Sequence, residues 1–180
     1  AMNIGQKEAC GDYVWFLNSG DLCSPSIIPE KVIEIIQRKY SVHLFYSELD
    51  YQKNRWLRPG LGRLTMYEVG HQSVIAPLSN PPLMYDENGS LSADRPWIHK
   101  NVEMYGDTKH LTILSIHSIG GITTLPKLST LIIRLRTQGF KRFLYEFTKL
   151  FLFIILGAER YYKIMFRLNK YPTLKFGNKF

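Results

Sequence analysis

The chain opens with apolar positions at Met2, Ile4 and Ala9 set against Lys7 and Glu8, a pattern that predicts the end of a helix over residues 1–10. Cys10-Gly11-Asp12 breaks it. Tyr13-Val14-Trp15-Phe16-Leu17 follows as an unbroken run of aromatic and β-branched residues between turn formers. Such a run is apolar on both faces and predicts a central, buried strand. It ends in the polar turn Asn18-Ser19-Gly20-Asp21, at the carboxyl end of the strand, which is where open α/β sheets bind ligands.

Ser24 or Ser26 can cap the next helix, and Pro25 and Pro29 are tolerated only in its first turn. Val32, Ile33, Ile35 and Ile36 then mark one apolar face through about Tyr40. Val42–Tyr46 reads as a second strand, residues 47–70 as short strands and loops, and His71–Pro77 carries a further short strand before the breaker Asn80-Pro81-Pro82. Ser92 or Asp94 starts a helix through about Tyr105, and Lys109–Ile116 reads as a last strand, closed by Gly120-Gly121. After Pro126 the character changes. Leu128–Arg136, Phe140–Leu156 and Glu159–Leu168 all have helical spacing, with Lys and Arg scattered among Leu, Ile and Phe.

With 180 residues, 45% of them apolar and 21% charged, the chain has the composition of an ordinary globular protein. The densest apolar run, Leu150–Leu156, is seven residues and too short to span a bilayer. The N-terminus lacks the basic and apolar regions of a secretory signal. Cys10 and Cys23 give no disulfide framework and no zinc site, and read as partly buried thiols in a reduced cytoplasm. The net charge of +8 is uneven: residues 126–180 hold twelve Lys or Arg and two acids, whereas residues 1–125 hold eleven and thirteen. A basic tail on a near-neutral body points to an anionic surface as partner. No helix-turn-helix, zinc or RNA-binding signature accompanies the charge, which leaves membrane rather than nucleic acid.

The segment Ala1-Met2-Asn3-Ile4-Gly5, then Ala9-Cys10-Gly11-Asp12 running into Phe16-Leu17-Asn18-Ser19-Gly20-Asp21, resembles family 2 glycosyltransferases of the GT-A fold. The likeness continues through Gly70-His71-Gln72-Ser73, Tyr85-Asp86, Ala93-Asp94 and Gly120-Gly121-Ile122. Order and spacing are similar to the bacterial subgroup, colanic-acid-type enzymes included, that builds cell-surface polysaccharide. The resemblance covers residues 1–125 and implies an α/β fold: the C-terminal portion of a GT-A, Rossmann-like domain, followed over 126–180 by basic amphipathic helices. A complete domain of this family begins with further strands that bind the nucleotide, so the resemblance also implies that residues preceding Ala1 are missing from this sequence.

The resemblance implies a nucleotide-sugar as donor substrate, a divalent metal (Mg or Mn) bridging its diphosphate, and transfer to a saccharide or lipid-linked acceptor with inversion. A hard cation held by carboxylates stabilises the charge that grows on the leaving oxygens. The family's Asp-x-Asp is here Asn18-x-Gly20, with Asp21 the carboxylate left in the turn as metal ligand; otherwise Asp21 is a turn residue capping the next helix. Asn18 and Ser19 line the same substrate site. Asp94 falls where the resemblance places the catalytic base, taking the acceptor hydroxyl's proton, or else it is a helix N-cap. The subgroup's Ala-Asp-Tyr-Asp is Ala93-Asp94-Arg95-Pro96 here. His71 and Gln72 either bind sugar hydroxyls or link loops. His117 is a late histidine for metal or diphosphate, or a structural one. The tail's helices would lie in a membrane interface, placing the protein in the cytoplasm, peripheral on the inner face of the membrane; alternatively they form a helical subdomain with a solvated basic face. The rival to an enzyme is a non-catalytic, truncated transferase that docks on membrane or partner.

Overall fold

A computed structural model describes residues 2–27, 29–37, 39–52, 54–86, 93–119 and 128–174. The chain is α/β and divides into two compact units. One comprises Ala1–Ser118 with Thr173–Phe180, the other Ile119–Pro172.

The first unit is a six-stranded mixed sheet with helices α1 (Met2–Glu8), α2 (Pro29–Gln37) and α3 (Asp94–Tyr105). Its strands are β1 (Tyr13–Trp15), β2 (Leu22–Cys23), β3 (Val42–Tyr51), β4 (Asn54–Arg58), β5 (Val74–Pro77) and β6 (Asp107–Ser118). Their order is β1-β5-β3-β6-β2, with β4 also on β3. Among the described residues only β3 and β6 run parallel; the remaining pairs are antiparallel. β3 is the axis: Val42–Asp50 is buried almost throughout because both faces are covered. Val42, Leu44 and Tyr46 pack in one cluster with Trp97 and Ile98 of α3. Phe45, on the other face, packs with Ile75 and Leu114 against Val32 and Ile36 of α2. Thr173 bridges to Trp56, and the Leu174 N–H donates to the Arg55 carbonyl, so the chain returns to this sheet after its long helix.

The second unit is one helical run, α4 (Leu128–Leu168), interrupted by left-handed residues at Gly139 (φ 79°) and Gly157 (φ 71°). The three helices that the spacing predicts meet at these two glycines, where a residue with a Cβ would be strained. Phe140, Phe143, Phe147 and Phe151 stack along the middle segment at 6.0–6.5 Å between ring centroids. No helix among the described residues is long and apolar enough to cross a membrane.

Several expectations need correction. β1 lies at the edge of the sheet, not its centre. Its two faces are covered, since Tyr13 packs on the α2 side and Phe16 meets Tyr85 and Trp97 edge-on, but a doubly apolar run says nothing of lateral neighbours. In α1 the buried residues are Asn3 and Gln6, while Ile4 is exposed, because Asn3 serves as a backbone clamp rather than a solvated polar position. The helix expected from Ser24 or Ser26 starts at Pro29. The Ser24 side chain bonds Ser26 in a turn, and Leu22–Cys23 pair with β6 instead. The short strand expected within His71–Pro77 is Val74–Pro77, led by a 3-10 turn over His71–Ser73. Both cysteines are free and exposed rather than partly buried. Gly120-Gly121 falls outside the described residues.

Buried His43 and neighbouring His110 stack at 5.1 Å, with His43 Nδ1 2.9 Å from His110 Nε2 and His43 Nε2 3.0 Å from the Lys39 carbonyl. Burial lowers the pKa of His43, and burial plus the neighbouring ring lowers that of His110 to about 4. The unfolded chain therefore binds both protons from about pH 6.5 downward, whereas the folded chain holds His43 below its usual value and resists protonation of His110 until near 4. Stability should fall as pH drops through that window, by on the order of 2 kcal/mol. Denaturant melts from pH 7.5 to 4 should show the slope, and His110→Gln should flatten it.

Candidate functional site

The polar turn after β1 folds back on the carboxyl end of β6. Gly20 takes a left-handed φ of 91°, which lets the chain reverse and the Asp21 N–H donate to the Asn18 carbonyl at 3.0 Å. Ser118 then closes the turn from the sheet side: its Oγ–H donates to the Gly20 carbonyl (2.9 Å) and its N–H to Asp21 Oδ1 (3.3 Å). The same carboxylate oxygen lies 2.8 Å from His117 Nδ1, and the Asp21 side chain is only 3% exposed. Its second oxygen, Oδ2, is buried and meets no hydrogen-bond partner among the described residues. A buried carboxylate oxygen left in this state is costly unless a cation or a donor comes to it.

A second carboxylate–imidazole pair stands at the start of α3. The cap position is Ala93, without a side-chain cap bond, and Asp94 is the first helical residue. Asp94 is thus not the N-cap; its carboxylate faces His71 Nδ1 at 3.4 Å. Burial opposes ionisation of Asp94, but the hydrogen bond and charge of His71, the charge of Arg58 and the backbone N–H of Arg95 outweigh it, so the carboxyl sits below its usual value. Asp94 is held as a carboxylate, the state a proton acceptor requires.

The two pairs are joined by consecutive residues. His71 Nε2 reaches Asn18 Oδ1 at 3.2 Å, and the Gln72 side-chain amide reaches His117 Nδ1 at 3.2 Å. Both His71 nitrogens therefore face oxygen atoms of the protein. The 3-10 turn is fixed from outside as well, because Trp15 Nε1–H donates to the Gln72 carbonyl at 2.8 Å. Gly70 leaves room for this amide. A Cβ on it would stand 2.7 Å from Gln72 Oε1 and 3.4 Å from Arg58 Nη1, displacing the amide.

Of the residues singled out in the sequence, Asn18, Asp21, His71, Gln72, Asp94 and His117 thus form one connected network, and Ser19 lies exposed in the same turn. Two neighbours were not singled out for the site. Arg58, at the end of β4, contributes charge at Asp94, and Tyr85 is near enough for Asp94 to raise its pKa. Arg58 gives no local signal, being one of many basic residues. Among the described residues no three His, Cys, Asp or Glu side chains gather as a metal cage. No family model matches the chain, and no curated protein or solved structure matches it either.

His71→Gln should keep the contacts and remove the charge. Burial of Asp94 would then be less opposed, and its carboxyl pKa should rise, read by carbon NMR titration of the side-chain carboxyl. An unchanged Asp94 titration would show that His71 does not control it.

Proposed function

We propose that this chain is the acceptor- and metal-side portion of a GT-A, Rossmann-like glycosyltransferase of family 2, acting in bacterial cell-surface polysaccharide synthesis. The observation that carries this reading is the convergence of Asn18 and Asp21 from one turn, Asp94 from α3 and His117 from β6, three separate segments, on the His71-Gln72 step. These are the positions at which the resemblance placed metal, base and substrate contacts.

In the proposed reaction an acceptor hydroxyl lies against Asp94. Its oxygen attacks the anomeric carbon of the nucleotide-sugar, the carboxylate takes its proton, and the bond from that carbon to the diphosphate oxygen breaks. The electron pair leaves on the nucleoside diphosphate, and the new glycosidic bond is inverted. The lowered pKa of Asp94 keeps it ionised at neutral pH, and His71 with Arg58 maintains that state. Asp21 and His117 are the residues that would hold a divalent cation, Mg or Mn, which when bound supplies positive charge to the departing diphosphate. The buried Asp21 Oδ2, which meets no hydrogen-bond partner among the described residues, fits that role. Two protein ligands suffice in principle, since such a cation takes further oxygens from water and from substrate phosphates.

The acceptor in this reading is a saccharide or lipid-linked saccharide, met by a protein that is peripheral on the inner face of the cytoplasmic membrane. Support comes from the twelve Lys and Arg of residues 126–180 and from exposed Phe140, Leu144, Phe147, Phe151, Ile154 and Ile155 on α4. Apolar side chains seated among head groups, beside cations attracted to anionic lipid, give interfacial binding.

The test is nucleoside-diphosphate release from a panel of nucleotide-sugars with Mn and membrane extract. One donor should be consumed, with Asp94→Asn lowering turnover about 10²- to 10⁴-fold and Asp21→Asn abolishing the response to Mn. Wild-type protein that consumes none would contradict the reading and favour a non-catalytic docking module. Separately, the protein should sediment with anionic vesicles at low salt and be released toward 1 M salt, where the screening length falls to about 3 Å. Phe147→Ser combined with Phe151→Ser should weaken that binding.

A further inference from the structure

Of Arg55, Arg58 and Arg63, the first and last are paired. Arg55 Nη1 lies 2.9 Å from Glu48 Oε1, and Arg63 meets Glu68. The guanidinium of Arg58 has no hydrogen-bond or ion-pair partner among the described residues, and its Nε is buried in that state. Its backbone is nonetheless fixed. Arg58 ends β4 opposite Ser47, whose Oγ–H donates to its carbonyl at 3.4 Å, and the following Pro59 and Gly60 are buried.

The guanidinium rests against the turn that mounts the site. A Cβ on Gly70 would stand 3.4 Å from Arg58 Nη1 and 3.7 Å from its Cζ. The next residue is His71, whose Nδ1 lies 3.4 Å from Asp94 Oδ2. The Asp94 side chain is 31% exposed and Arg58 is partly exposed, so solvent reaches both.

A guanidinium presents five N–H donors in one planar fork and stays charged throughout the physiological range. Partly enclosed without an acceptor, it has lost hydration, a cost that an anion would relieve. Asp94 is not that anion: it feels the charge of Arg58, but its side-chain contact is with His71. A phosphate matches the fork, since two of its oxygens accept parallel N–H bonds. The reaction decides which phosphate. Inversion puts the attacking and leaving oxygens on opposite sides of the anomeric carbon. Arg58 stands with Asp94 on the attacking side, whereas Asp21 and His117 would hold the cation on the leaving side.

We propose that Arg58 binds a phosphate group carried by the acceptor, so that the acceptor is a phosphorylated saccharide or lipid and not a neutral sugar. Assignment to the acceptor rests on the glycosyltransferase reading; the anion site at Arg58 does not.

The experiment follows the arginine Nε–H signals of the full chain by NMR, with the Arg58 signal identified by its loss in Arg58→Lys. Inorganic phosphate should shift Arg58 saturably, at least tenfold more tightly than acetate at matched ionic strength, with Arg55 and Arg63 unmoved. No saturable shift, or equal binding of acetate, would overturn the proposal. The phosphate shift should persist in saturating uridine diphosphate and Mg; its displacement would move Arg58 to the donor side and overturn the acceptor assignment. A hexose phosphate that shifts Arg58 would identify a soluble acceptor, and short-chain phosphatidic acid a lipid one; if neither does, inorganic phosphate is an adventitious ion only and the proposal fails. In membrane extract, Arg58→Lys keeps the charge but loses the fork, and should lower transfer at least tenfold more than it lowers hydrolysis of the nucleotide-sugar by water. Equal loss of both would overturn the assignment. Wild-type protein that consumes no nucleotide-sugar while phosphate still shifts Arg58 would sink the glycosyltransferase reading, and the acceptor assignment with it, but leave the anion site standing.

Discussion

The parallel pairing of β3 with β6 is the interaction on which the rest of the molecule depends. It is the longest ladder in the sheet, from Val42 opposite Asp107 to Asp50 opposite Ser118, and it brings together two segments far apart in sequence. β5 and β4 attach along the other edge of β3, one to each half, and β2 attaches to the outer edge of β6. A strand with neighbours on both edges and helices on both faces has no exposed side, which is why Val42–Leu49 is buried residue after residue. The register of this ladder decides where β6 ends. That end sets His117 and Ser118 beside the turn after β1, closing on Asp21.

The site follows from that placement. Two carboxylates reach it by different routes, one in a tight turn held by Ser118 and one at the first position of α3, and each faces an imidazole. The His71-Gln72 step is the common mount. It is anchored by Trp15 from β1 and has a glycine before it, because a side chain there would displace Gln72. The electrostatic consequences differ between the two ends. Asp94 is surrounded by groups that keep it charged, whereas Asp21 retains a buried oxygen with no hydrogen-bond partner among the described residues. The first suits a proton acceptor and the second suits a cation ligand, which is the division of labour that the proposed transfer requires.

Much of this was legible in the sequence, for identifiable reasons. α3 ends where the pattern puts it, at Tyr105, because Gly106 follows with a positive φ of 68°, and the breaks in α4 coincide with two glycines whose missing Cβ permits a left-handed turn. The pattern located Tyr13–Leu17 as a strand but not its neighbours, because burial of both faces is compatible with an edge position when helices and aromatic rings cover it. The buried polar face of α1 was invisible for a similar reason. Asn3 has the look of a solvated residue until Tyr85, 82 positions away, is found between its amide groups. The candidate site residues are named one by one by the resemblance; that they come within hydrogen-bonding distance of one another is a property of the fold alone.

The central claim is that the turn after β1 and the end of β6 make one anion- and cation-binding site beside Asp94. Its most direct test is NMR of the protein titrated with uridine diphosphate and Mg, observing the His117 ring and the backbone amides of Ser19–Asp21 and Ser118. The account predicts saturable shifts at these positions that require both components, with the His43–His110 pair unmoved. Shifts confined to α4, or none at all at the turn, would contradict it.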